Sequence, residues 1–288
     1  MLLNTFEPWK FAFSHENGEI IENSYGIIGV PFDSTTSYHS GSRLGSIVVR
    51  EASFGFEKFN TVFNKELTST FYDFGDVNVV HGNCEKTCAI VEDTVRELLD
   101  LKIKPIIIGG EHSVSLGAIK ALYDEYGKLT VVHLDAHRDL AFEFIGEKYS
   151  HATVMRRVHE FGASLVQIGI RSSSKEEDDF VKSTYNVQTF KNKDVHKHMD
   201  AIEYYLTNID EPIYISIDMD VFDPTIAPSV GNPTPGGLYV SEVETILETL
   251  CRKNIVGLDV VETASDRLGD ITAVVASKVI YDFLTLIE

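Results

Sequence analysis

Short apolar runs rich in Val and Ile alternate along the chain with longer amphipathic stretches. The runs predict strands at Tyr25–Val30, Thr70–Phe74, Pro105–Ile108, Thr130–Leu134, Ser164–Ile170, Pro212–Ile217 and Ile255–Val260. The amphipathic stretches predict helices at Cys84–Leu101, Ser115–Tyr126, His151–Phe161, Lys193–Thr207, Ser241–Cys251 and Ile271–Leu286. Runs such as KPIIIGG and PIYISIDMD are apolar on successive residues, hence on both faces, which marks strands covered by helices on each side. The alternation continues to the end of the chain without a Pro/Ser-rich linker, charge block or repeat. It predicts one α/β domain over residues 1–288 with a doubly covered, mainly parallel sheet in three layers. Two irregular stretches, Phe32–Gly45 and Asp223–Tyr239, each follow a strand, where open α/β sheets bind ligands.

Composition narrows the function classes. With 25 basic and 44 acidic residues among 288, the net charge is −19. Such a chain repels phosphate backbones, so nucleic acid is not an expected partner, whereas a cationic substrate or metal ions are. Cys84, Cys88 and Cys251 form no disulfide framework and suit a reducing compartment, the first two as helix packing. MLLNTFEPWK lacks a basic segment followed by an apolar run, and no apolar stretch reaches the roughly 20 residues needed to span a bilayer. A cytoplasmic protein without a membrane partner is expected.

The chemistry lies at strand ends. In HLDAHRDL (133–140), Asp135, His137 and Asp139 alternate after an apolar strand, so all three face one side if the extended geometry persists. Oxygen donors with one imidazole suit Mn, Fe or Zn. The alternative is a polar strand end with Asp139 capping a helix. In SIDMDVFDP (216–224), Asp218 and Asp220 repeat the pattern, and two carboxylates on one side repel without a cation or proton between them. Asp223, before Pro224, reads as a turn starter. In IIIGGEHSVSLGA (106–118), the double Gly permits a tight turn with His112 at its apex. Glu111 beside it reads as a supporting carboxylate or an exposed turn residue rather than a ligand. Two histidines and four carboxylates exceed what one metal can use while keeping an open position. Two metals sharing carboxylates can use them, and such a pair lowers the pKa of a bridging water.

These motifs occur together with GVPFDSTTSYHSGSRLG (29–45), FYDFGDV (71–77), SHAT (150–153), GNPTPGG (231–237) and LDVVE (258–262). In that order and spacing the chain resembles the ureohydrolase (arginase/agmatinase) family over nearly its whole length. The resemblance implies an arginase-like α/β fold with an eight-stranded, mainly parallel sheet and two Mn2+ per chain. It implies hydrolysis of a small cationic guanidino substrate to urea and an amine. His112, Asp135, His137, Asp139, Asp218 and Asp220 would hold the metals. His151 matches the family's proton shuttle, which would otherwise read as a helix-start residue, and Glu262 the acid that pairs with the guanidinium. Asp139 would pass a proton towards the departing amine. The motif variants and length are most like prokaryotic agmatinases, implying agmatine as substrate and putrescine as product, in a homotrimer or homohexamer. Arginase or another guanidino-acid activity, a one-zinc deacetylase of related fold and a non-catalytic metal-binding protein are the alternatives. Three departures bear on the substrate: Asn232 where Thr is common, Arg138 where a small residue is usual, and His39-Ser40 in the loop before Gly41. Alternation points Arg138 away from the metals.

Overall fold

The computed structural model describes residues 4–6, 9–15 and 19–287, with the backbone alone at residue 6. The N-terminal reading for a leader falls partly on residues 1–3 and 7–8, outside the described residues. The strands are β1 (Thr5–Phe6), β2 (Tyr25–Gly29), β3 (Phe59–Asn60), β4 (Lys65–Glu66), β5 (Phe71–Val77), β6 (Lys104–Ile108), β7 (Thr130–Leu134), β8 (Ser164–Ile170), β9 (Val187–Lys191), β10 (Ile213–Asp218) and β11 (Ile255–Val261). The helices are α1 (Gly45–Ser53), α2 (Cys84–Asp100), α3 (Ser115–Tyr126), α4 (Val154–Glu160), α5 (Lys175–Ser183), α6 (Asn192–Thr207), α7 (Val240–Leu250) and α8 (Ile271–Leu286).

Eight strands pair in parallel in the order β5-β2-β6-β11-β10-β7-β8-β9, as the alternation of apolar runs and helices requires. The two-residue β1 adds an antiparallel edge beside β5, and β3 and β4 form a separate small ladder. Every residue of β7, β10 and β11 is buried, which accounts for their lack of polar alternation. One face of the sheet packs on α1, α6, α7 and α8, and the other on α2, α3 and α4. The last helix is part of the core: α8 buries Phe283, Leu284 and Ile280 completely.

Besides the two-residue strands β1, β3 and β4, three longer elements lie outside the expected set. α1 carries the β-branched run Ile47-Val48-Val49, a poor helix signal. Packing holds it: its Arg50 is fully buried, and Nε and Nη2 donate to Asp73 of β5 at 2.7 and 2.9 Å while Nη1 reaches Asp76. α5 is KEEDDFVKS, nearly all polar, and its start is set by a capping box in which Ser174 and Glu177 bond reciprocally. β9 is a half-exposed edge strand with mixed residues. Among the described residues no helix is long and apolar enough to cross a membrane.

The chain leaves β6 through α3 and enters β7 three places away, because β10 and β11 fill the gap. The carboxyl ends of these four adjacent central strands open on one crevice, the place where crossover directions diverge and ligands bind in open α/β sheets.

Candidate metal centre

Four strand ends deliver the predicted acids and histidines to that crevice. His112 follows β6 in a single turn of 3-10 helix, Asp135 to Asp139 follow β7, Asp218 ends β10, and Glu262 follows β11. The turn before His112 tolerates no side chain at Gly110, where a Cβ would lie 1.9 Å from the Phe32 carbonyl oxygen.

His112 Nδ1 lies 3.2, 3.1 and 3.3 Å from carboxylate oxygens of Asp135, Asp139 and Asp218. His137 Nδ1 lies 2.8 Å from Asp220 and 3.5 Å from Asp135. Asp135 thus serves both groups, through Oδ2 on one side and Oδ1 on the other. All six residues of the expected set converge, and every one but His137 is buried. The extended geometry expected for the 135–139 segment does not persist: β7 stops at Leu134 and Asp139 turns into the left-handed region at φ 54°. The three side chains gather because the loop folds back, not because a strand continues. Glu262, at φ 64°, is a second non-glycine residue in that region. Such conformations cost of order 1–3 kcal/mol each, and here they sit where side chains must converge.

The donor set fits divalent cations. His112 Nε2 bonds Ser216 Oγ at 2.9 Å, and Ser216 in turn donates to Asp259 at 2.7 Å, so Nε2 carries the hydrogen. That leaves the Nδ1 lone pair for a cation, whose place a proton takes when none is bound. Nδ1 is buried and makes no hydrogen bond, although three carboxylates surround it. A cation among these atoms satisfies every one of them. Protonation behaviour gives the same picture. Burial, then Asp220 and Asp135, push the Asp218 carboxyl well up, and burial with Asp135 lifts Asp139 to about 6. Burial pulls the His137 imidazole down, but Asp220 and Asp135 outweigh it and push it up to about 12. The cluster, without a cation, must take up protons. The described residues hold two groups with metal-ligand spacing: His112, His133, Asp135 and Asp139; and Asp135, His137 and Asp220.

A cavity of about 370 Å³ opens over the cluster, walled by Tyr38, Phe144, His151, Ser172–Ser174, Asn232 and Thr234. Glu262 forms part of its floor. Its Oε1 accepts the His112 backbone N–H at 2.9 Å, while Oε2 is buried without a partner. A Cβ at Gly231 would come within 2.8 Å of that oxygen, so the missing side chain leaves it room. Burial and the nearby Glu111 charge raise the Glu262 carboxyl well above the usual range. His151 stands on the opposite wall, edge-on to Phe144, and burial with the His112 and His137 charges lowers it to about 4.

Arg138 points away from the cluster, to Asp178, Gln167 and Thr189 at 2.8, 2.9 and 3.0 Å. Asp223 begins a turn, accepting from Thr225, Gly236 and Gly237. Glu111 is fully buried, a supporting carboxylate rather than an exposed turn residue. His39 stacks on Tyr38 with ring centroids 4.0 Å apart, and Asn232 bonds Ser37 at 3.1 Å. Cys84 and Cys88 are free, buried and 3.8 Å apart at sulfur. His133, which sequence reasoning passed over, bonds Asp135 at 2.7 Å from within β7. Ser216, Asp259 and Gln167 were likewise passed over. Their signal was a polar residue inside a fully apolar strand, where it must have a partner.

The model of the Arginase family matches residues 23–285. The chain belongs to the arginase family. It is 38% identical over 97% of its length to an N(1)-aminopropylagmatine ureohydrolase of Thermococcus kodakarensis, covering 95% of that protein. It is 34% identical to an agmatinase of Pyrococcus horikoshii, over 98% of this chain and 97% of the other. The crystal structure of the agmatine ureohydrolase of Thermoplasma volcanium superposes with a TM-score of 0.85 at 34% identity, covering 98% of this chain and 94% of that one. Family membership makes this arginase-family chain a hydrolase, with a His/Asp cluster suited to a binuclear divalent metal site.

Proposed function

We propose that the protein hydrolyses agmatine to putrescine and urea at two Mn2+ ions held by His112, Asp135, His137, Asp139, Asp218 and Asp220. The observation that carries the reading is Glu262 Oε2, a buried carboxylate oxygen without a partner that faces the cavity beside the cluster. A planar guanidinium is the complement of such a group. Among the described residues lining the cavity none is Lys or Arg, while Asp139, Glu177, Asp218, Asp220 and Glu262 are acidic, which favours a doubly cationic substrate.

Bound there, the two ions would supply Lewis acidity and a water of lowered pKa. The chain's own residues do the rest. Glu262 orients the guanidinium, and Tyr38 and Phe144 exclude water from the mouth of the cavity. Asp139 holds a proton in transit, and His151 Nε2 carries it to the departing amine nitrogen. Asn232, joined to Ser37, shapes the wall beside His151. Manganese rather than a thiolate-seeking metal suits the oxygen-rich set. The wider reading is a single ureohydrolase domain over residues 1–288, acting in the cytoplasm as a homotrimer or homohexamer.

The likeness to an N(1)-aminopropylagmatine ureohydrolase favours a second reading, in which the guanidino compound carries an aminopropyl extension. Urea release from agmatine, N1-aminopropylagmatine, arginine and 4-guanidinobutyrate, with added manganese, separates these. The highest kcat/KM is expected on agmatine. Glu262→Gln should retain metal and lose roughly 100-fold or more in kcat/KM, the scale of a buried charge left unpaired. Absence of urea from all four compounds by a metal-loaded enzyme overturns the proposal.

A further inference from the structure

We infer that Thr35, oriented by Glu111, fixes the tautomer of His151 so that Nε2 is its proton-accepting nitrogen. The inference rests on the reading of His151 as proton carrier and assigns Thr35 as a positioning residue in the loop after β2.

The hydrogen-bond inventory leaves little freedom. Glu111 is completely buried and accepts from a backbone N–H and two hydroxyls. Its Oε2 accepts the Thr35 backbone N–H at 2.6 Å. Its Oε1 accepts the Thr35 and Ser113 hydroxyls, each at 2.5 Å. A threonine hydroxyl has one hydrogen and two lone pairs. The hydrogen of Thr35 is therefore spent on Glu111. One lone pair receives the His151 backbone N–H at 3.1 Å. The other faces His151 Nδ1 at 3.3 Å. An unprotonated Nδ1 would oppose lone pair to lone pair, so the contact is favourable only when Nδ1 bears the hydrogen.

Nε2 is then the free base. Ser37 Oγ lies 3.3 Å from it, accepts the Asn232 amide at 3.1 Å and lies 3.3 Å from Asn232 Oδ1, so its hydroxyl can donate to Nε2 once Thr35 has fixed the tautomer. The Thr35 contact selects the tautomer, and the Ser37 hydroxyl accommodates it at the other ring nitrogen. The low proton affinity of the buried imidazole keeps it neutral at rest, the state in which the tautomer matters. In the opposite tautomer the cavity-facing nitrogen would be a donor, unable to take up a proton before passing it on.

The test is a double-mutant cycle on kcat for agmatine with the manganese-loaded enzyme, using Thr35→Val, His151→Asn and the pair. Thr35→Val keeps the shape and removes the hydroxyl. It should lower kcat roughly 10- to 100-fold with KM and bound metal within about threefold, a part of the usual acid–base contribution. Thr35→Ser, which keeps the hydroxyl, should stay within about threefold of the parent. Because Thr35 acts through His151, the double variant should fall no further than His151→Asn alone. Losses that multiply, or a Thr35→Val enzyme with unchanged kcat while His151→Asn is impaired, overturn the inference. Full activity in His151→Asn overturns the shuttle reading beneath it. Should Thr35→Val not fold, Thr35→Ala closes the same cycle.

Discussion

Arg138 offers the sharpest test of how the metal loop is held. It is 3% exposed and ties the 135–139 segment to three other elements: Asp178 of α5, Gln167 of β8 and Thr189 of β9. Gln167 returns the tie by donating to the Arg138 carbonyl at 2.8 Å, immediately before Asp139 with its left-handed backbone. Arg138→Met keeps much of the volume and removes the donors. Stranding the fully buried Gln167 oxygen costs about 1–3 kcal/mol. The Asp178 side chain is 34% exposed, so its ion pair adds only about 0.5–1 kcal/mol after solvent screening. The sum is about 1.5–4 kcal/mol, or a Tm lowered by roughly 3–7 °C in a protein of this size. The assay is thermal unfolding at a fixed manganese concentration, because bound metal raises apparent stability. Chelator competition in parallel should show weaker metal retention, since Asp139 loses its anchor. Arg138→Lys, with one donor in place of the fork, should lie between. A Tm for Arg138→Met within about 1 °C of the parent would refute the reasoning.

Two other outcomes follow from the site. In the metal-free enzyme, burial lowers His112 and His137, but the surrounding carboxylates outweigh it and hold both protonated at neutral pH. Loading two divalent ions should therefore release at least two protons per chain near pH 7, with the raised Asp218 carboxyl adding to the two histidines, and affinity should rise with pH between 6 and 8. Titration calorimetry in buffers of different ionisation enthalpy counts them, and fewer than about half a proton contradicts the cluster as described. Gly110→Ala places a methyl 1.9 Å from the Phe32 carbonyl oxygen and displaces the turn that carries His112 and receives the Glu262 N–H. We expect a loss of about 3 kcal/mol or more, read as lowered Tm together with lost metal, and a parental Tm in this variant would count against the packing.

The core strands, most helices and the six-residue cluster were legible in the chain because each has a local signature. A strand buried on both faces must be continuously apolar, and a carboxylate or imidazole repeated at its end has few explanations without a cation. α1, α5 and β9 carried no such mark. α1 is a helix because Arg50 is neutralised by Asp73 and Asp76, residues of a strand more than twenty positions away. α5 is held by a cap and by contacts that its own polar sequence does not announce.

Alternation along HLDAHRDL singles out Asp135, His137 and Asp139, which do converge, but for a geometry the segment does not have. What gathers them is the turn at Asp139 and the Arg138–Gln167 clamp, both set by neighbouring elements. The sequence by itself determined which residues meet at the metal centre and the sheet that carries them, since burial periodicity and donor chemistry are local properties. Only the tertiary structure decided that Asp135 is shared, that Glu262 is left with one oxygen free, and that His133, Ser216, Asp259, Glu111 and Thr35 stand behind the cluster. Those are hydrogen bonds between residues distant in sequence, and no spacing along the chain encodes them.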